Sequence, residues 1–140
     1  MLCGVEIDHS QGLAGHSDAD VPVHALMDAL LGAAGAGDIG ELFPDTDSAY
    51  RDASSLGLLR RVVEHLAEDG WAVVNADVTI VCERPRIVDY RRLMRENLAE
   101  ALGVGMDAVS VKGTTTEGMG FEGRGEGIAA AAVCLLSREG

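Results

Sequence analysis

Two histidines and six aspartates crowd into the 32 residues from His16 to Asp47, HSDADVPVHALMDALLGAAGAGDIGELFPDTD. Asp20, His24 and Asp28 recur every four residues, a spacing that puts all three on one face of a helix. An imidazole between carboxylates can ligate a divalent metal of the zinc type, or it can belong to a solvated polar cluster. Just ahead, His16, Ser17 and Asp18 can set an imidazole and a hydroxyl beside free helix N–H groups, an arrangement suited to phosphate, or they can simply turn the chain into the helix.

Three further stretches carry chemistry-bearing side chains. Phe43-Pro44-Asp45-Thr46-Asp47 puts two carboxylates on a rigid turn, where they can take polyol hydroxyls or form an ordinary surface turn. Arg84-Pro85-Arg86 follows a predicted strand and offers guanidinium groups to an anion or to solvent. Lys112-Gly113-Thr114-Thr115-Thr116-Glu117 runs into GMGFEGRGEG, where three hydroxyls, a carboxylate, Arg124 and a glycine-loosened backbone suit a diphosphate and its metal. Gly118 to Gly123 fits G-x-G-x-x-G, but a strand pattern follows it instead of a helix start, so a dinucleotide fold is excluded. A Walker loop is excluded too, because Lys112 precedes the threonines without the required glycines.

The elements that must position these residues follow from periodicity and punctuation. Val5 to Ile7 reads as a short strand, ended by the polar segment Asp8 to Gly15. Asp20 and Pro22 open a helix whose buried stripe is read as Leu26, Ala29, Leu30 and Ala33, closed by Gly35 and Gly37. Asp38 to Asp47 is a loop. Ser54 or Ser55 caps a second helix to Asp69, with Leu56, Leu59, Val63 and Leu66 periodic. Trp71 to Cys82 alternates Val74, Ala76, Val78 and Ile80 against Asn75, Asp77 and Thr79, a strand with one buried face. A third helix runs from Asp89 to Leu102, a strand from Val109 to Lys112, a glycine-rich loop from Gly113 to Gly127, and a final strand from Ile128 to Leu136. This order predicts an α+β fold, a two-layer sandwich with helices on one face of a mixed β-sheet, formed by residues 1–140 as a single domain.

Composition bounds the partners. The chain has 140 residues and a formal net charge of −12, with 47% hydrophobic and only 4% aromatic residues, so the core is aliphatic. That charge argues against a general nucleic-acid binder, whose affinity comes from Lys and Arg on phosphates. Small anionic ligands remain open through local clusters of the ten arginines. Three cysteines, Cys3, Cys82 and Cys134, lack zinc-site spacing and read as reduced thiols of a cytoplasmic protein. No apolar run has the length of a membrane span.

Taken together, the His16–Asp47 stretch, the basic Pro85 turn and VKGTTTEGMGFEGRGEGIA closely resemble the 2-C-methyl-D-erythritol 2,4-cyclodiphosphate synthase family, from about Val5 to Leu136 and in the same order. The resemblance implies a homotrimeric lyase of non-mevalonate isoprenoid biosynthesis with active sites between subunits. Its substrate is a nucleotide-linked polyol phosphate, 4-diphosphocytidyl-2-C-methyl-D-erythritol 2-phosphate, which is cyclised with release of CMP. It further implies a zinc-type ion and a magnesium- or manganese-type ion at the diphosphate.

By the same resemblance His24 is a zinc ligand, Glu117 faces the second metal, and His16 and Thr115 position and polarise the phosphates, with Ser17 beside them. Asp38, Ile39, Gly40, Phe43, Pro44, Asp45, Thr46 and Asp47 bind the erythritol. Cys82, Glu83, Arg84, Pro85, Arg86, Ile87 and Val88 form the cytidine and phosphate loop. Thr114, Thr115, Thr116 and Glu117 form an opposing wall from a neighbouring subunit, and Phe121 and Arg124 lie near the phosphates. The family's first strand carries Asp-x-His, which this chain lacks; Asp8-His9 is no substitute, since adjacent strand residues point to opposite faces. Two expectations follow: an ordinary enzyme whose natural start lies further upstream, or a truncated trimeric binding protein for cytidyl or isoprenoid phosphates that is catalytically impaired.

Overall fold

The computed structural model describes residues 1–7, 20–43, 54–83, 86–120 and 127–138. Helix α1 (Val21–Ala34) starts where Asp20 accepts the Val23 N–H, with Pro22 in the first turn where no donor is needed. Its buried residues Val23, Leu26, Met27, Leu30 and Leu31 keep the i, i+3, i+4 spacing of a single stripe. The stripe thus differs from the expected one: Met27 and Leu31 replace Ala29, which is half-buried, and Ala33, which is exposed. A second correction concerns 38–43, expected to be loop, where a single helical turn, α2 (Ile39–Leu42), begins at Asp38. In α3 (Ser55–Glu68) Ser54 accepts the Gly57 N–H, and Leu59, Val62 and Leu66 are buried, Val62 taking the place expected of Val63.

Strand β1 (Trp71–Val81) is central in a three-stranded mixed sheet of order β2-β1-β3. It runs parallel to β2 (Val109–Thr114) and antiparallel to β3 (Ala129–Arg138). A parallel pair needs a crossover, and α4 (Arg91–Leu102) supplies it, preceded by a 3-10 turn, Ile87–Asp89, whose last residue, Asp89, the sequence reading took as the helix start. Arg95 fastens this crossover to β2, its guanidinium donating to Val109 O at 2.8 Å and Met106 O at 2.7 Å.

One sheet face is buried against the helices. Ala76, Val78 and Ile80 of β1 lie beside Val109 and Val111 of β2, and Ala132, Cys134 and Leu136 of β3 pack on the same core. The opposite face carries Ser110, Lys112, Asp77 and Thr79, with Val133 and Leu135 of β3 exposed to 71% and 54%. A register shift between Val73 and Asn75 breaks the alternation of β1, which is why Val74, expected inside, is 41% exposed.

The N-terminal residues differ from the predicted strand. Leu2 and Val5 exchange both backbone hydrogen bonds around Cys3 and Gly4, which have φ of 50° and 72°, the positive pair of a tight hairpin turn. A Cβ on Gly4 would sit 2.3 Å from Leu56 Cδ1, so this turn approaches α3 as closely as only glycine permits.

Candidate active site

The carboxyl ends of the parallel strands β1 and β2 bring two of the predicted segments together. Cys82 N donates to Thr114 O at 3.0 Å, extending the ladder one step beyond β1. Glu83 then leaves the sheet, and its Oε1 accepts the Gly118 N–H at 3.0 Å. Within the turn so held, Thr115 Oγ1 accepts the Glu117 N–H at 3.3 Å, Met119 N donates to Thr116 O at 3.1 Å, and the Thr116 hydroxyl meets Met119 O. Glu117 has φ of 56°, an uncommon conformation for a residue with a side chain.

On the other side of β2, buried Ile87 covers Gly113, where a Cβ would stand 2.9 Å from Ile87 Cβ. Burial of Ile87 leaves Arg86 and Val88 on either side of it exposed. Cys82, Glu83 and Ile87 therefore share one corner with Thr114, Thr115, Thr116 and Glu117 within a single chain, where the sequence reading set these segments on opposing walls from different subunits. Thr115 and Glu117 are exposed there. Burial, and after it the charge of Glu83, raise the Cys82 thiol above its ordinary range, which favours the protonated thiol near neutral pH.

The helix-face cluster does not assemble as its spacing suggested. Asp20 is fully buried, and its carboxylate accepts four hydrogen bonds: Cys3 N at 2.8 Å and Val23 N at 3.3 Å on Oδ1, Gly4 N at 2.8 Å and the Ser55 hydroxyl at 2.8 Å on Oδ2. A carboxylate has about four lone-pair sites, so none is left for a metal. His24 and Asp28 lie exposed on α1. Among the described residues, no three His, Cys, Asp or Glu side chains converge on a metal position. The described donors thus do not by themselves make a zinc site.

On α2, Asp38 Oδ1 accepts the Glu41 N–H at 3.0 Å, Ile39 is half-buried, Gly40 is exposed and Phe43 is 9% exposed against the core. His16, Ser17, Pro44, Asp45, Thr46, Asp47, Arg84, Pro85, Phe121 and Arg124 lie outside the described residues. A cleft of about 630 Å³ opens elsewhere, along the first half of β2 beside Arg91, Arg95 and the Lys112–Asp77 ion pair, and it includes none of the predicted site residues.

The sequence matches the YgbB family over residues 1–137. The chain belongs to the YgbB family. Among its relatives, the 2-C-methyl-D-erythritol 2,4-cyclodiphosphate synthase of Rubrobacter xylanophilus is 61% identical over 138 residues, which cover 99% of this chain and 83% of that one. The synthase of the same name from Symbiobacterium thermophilum is 61% identical over 137 residues, 98% of this chain and 87% of that one. Among solved structures, the bifunctional IspDF from Campylobacter jejuni aligns with a TM-score of 0.92 at 42% identity, covering 99% of this chain and 38% of that chain. The CDP complex of IspF from Plasmodium falciparum aligns at 0.78 with 30% identity, over 90% of this chain and 76% of that one.

Within the family, the α+β architecture and mixed sheet are shared. The part missed in the sequence is structural: the Asp20 hub and the Glu83–Gly118 bond each join residues distant along the chain. Asp20 had a partial signal, standing one residue before an apolar helix with Pro22 next to it.

Proposed function

We propose that this protein is a phosphorus-oxygen lyase that cyclises 4-diphosphocytidyl-2-C-methyl-D-erythritol 2-phosphate to 2-C-methyl-D-erythritol 2,4-cyclodiphosphate and CMP, in non-mevalonate isoprenoid biosynthesis. The observation that carries the reading is 61% identity to a synthase of that name across 99% of the chain. An oxygen of the 2-phosphate attacks the β-phosphorus of the same substrate. The bond from that phosphorus to the bridging oxygen breaks, and CMP leaves with the oxygen. Because both reacting groups belong to one molecule, the protein's task is to fold the substrate and stabilise charge on the phosphates.

This chain's own residues suit that task in part. Thr115, whose Oγ1 already accepts the Glu117 N–H, keeps its hydroxyl proton to donate to a phosphate oxygen. By the resemblance, His16 acts with it on the phosphates, Asp45 and Asp47 take the erythritol hydroxyls, and the 82–88 segment takes the cytidine; Arg86 of that segment is exposed. A CDP complex of a relative supports a cytidine nucleotide as ligand. The resemblance assigns a zinc-type ion to His24 and a magnesium- or manganese-type ion to Glu117; remaining ligands would come from outside the described residues or from substrate oxygens.

The same reading makes residues 1–140 one synthase domain, a two-layer sandwich that assembles as a homotrimer with sites between subunits. The exposed Val133 and Leu135 on the open sheet face support self-association through that face. Its setting is cytoplasmic, or plastid in a plant-like source. No described helix is long and apolar enough to cross a membrane. Incubation of the purified protein with substrate and a divalent cation, followed by chromatography of the nucleotides, tests the reading. CMP release is expected, and intact substrate after prolonged incubation would overturn it.

A further inference from the structure

We propose that Glu83 is a positioning residue of the cyclisation, a role that rests on the synthase reading: it holds the Thr115–Gly118 turn in the shape that presents Thr115 and Glu117 to the phosphates. The ladder between β1 and β2 ends at the Cys82–Thr114 bond, and beyond it both segments leave the sheet. Among the described residues, the Glu83–Gly118 hydrogen bond spans them past that point, across 35 residues of sequence.

What it fixes is a conformation the segment does not favour unaided. Glu117 sits at φ 56° and Gly118 at φ 84°, so two consecutive residues are left-handed, and only the second is a glycine. A left-handed residue with a side chain persists when its surroundings hold it there. Anchoring the Gly118 N–H fixes the peptide plane just after Glu117, and the Glu117 N–H in turn orients the Thr115 hydroxyl. Through the Gly118 N–H, one carboxylate thereby sets two predicted site residues.

Charge points the same way. A carboxylate aimed at a diphosphate would repel it, whereas one spent on a backbone N–H sits in a favourable hydrogen bond and leaves the phosphates to donors. The resemblance placed Glu83 in the nucleotide loop as a binding residue; its geometry is that of a brace between that loop and the threonine turn.

The test compares Glu83→Ala with Glu83→Gln in the full protein. Glutamine keeps an acceptor oxygen for Gly118, and alanine does not. Alanine is expected to lower kcat by about 10- to 100-fold, the scale of a small misplacement of reacting groups. Tm should stay at the wild-type value, and glutamine should restore most of kcat. The amide of Gly118 should exchange with solvent faster in the alanine variant alone. Unchanged kcat in alanine, a loss in glutamine equal to that in alanine, or a loss confined to KM and CDP affinity would each overturn the proposal. Should the wild type release no CMP, the synthase reading falls while exchange at Gly118 still decides whether Glu83 braces the turn: unchanged protection in the alanine variant would overturn it.

Discussion

The Ser55 hydroxyl donates to Asp20 Oδ2 at 2.8 Å, tying the first turn of α3 to the cap of α1. The same carboxylate gathers Cys3 and Gly4, and Asn97 of α4 closes the group by donating to Cys3 O at 3.1 Å. Three helices and the N-terminal turn thus meet at one buried acid. In Asp20→Asn an NH2 group replaces one acceptor and faces N–H or O–H donors, leaving buried groups unpaired. Urea denaturation should show a loss of about 2–4 kcal/mol. A change near zero would mean that the four hydrogen bonds do not govern stability.

Gly113 meets Ile87 at the base of the site, with no room for a methyl group between them. Gly113→Ala must push the Ile87–Asp89 turn outward, costing about 1–3 kcal/mol as an overpacked contact. Calorimetry should find CDP binding weakened along with stability. Full CDP affinity in a destabilised variant would detach this turn from the nucleotide site.

His24 is exposed and no described side chain completes a metal site with it. His24→Ala should therefore leave the thermal unfolding curve in place, and in a chain extended to carry the family's Asp-x-His strand it should lower zinc content by elemental analysis. Zinc equal to wild type would remove His24 from the metal site.

Burial, and after it the nearby charge of Asp20, raise the Cys3 thiol far above its ordinary value of 9.0. Folded protein therefore keeps this proton while the unfolded chain loses it above about pH 9, so the unfolded state binds fewer protons there. The stability linked to Cys3 is complete below pH 9 and falls by about 1.4 kcal/mol for each further pH unit. Cys3→Ala should flatten that alkaline decline in denaturation curves taken from pH 8 to 10.5. An identical slope would show that Cys3 does not carry it.

The long helices and β1 were legible in the sequence because burial on one face writes a period into the residues, as Leu26, Leu30, Leu59 and Leu66 show. Alternation failed at Val74, since the shift of register beside it depends on how β3 pairs and leaves no mark in β1 alone. The turn α2 was readable in hindsight, for Asp38 followed by Glu41 is the spacing of a helix start. Asp20 was legible as a cap, but three of its four donors, from Cys3, Gly4 and Ser55, lie 16 to 35 residues away, where helical spacing carries no information. The threonine turn was recognised by its residue types, and its hold on Glu83 came only with the parallel pairing of β1 and β2.

The central claim is tested most directly by following phosphorus. Protein expressed from its whole open reading frame is mixed with 4-diphosphocytidyl-2-C-methyl-D-erythritol 2-phosphate and a divalent cation, and 31P NMR is recorded over time. The prediction is that the three substrate resonances give way to CMP and to the two coupled signals of a cyclic diphosphate in equal amounts. Unchanged substrate resonances, or CMP accompanied by a linear diphosphate or free phosphate, would contradict it.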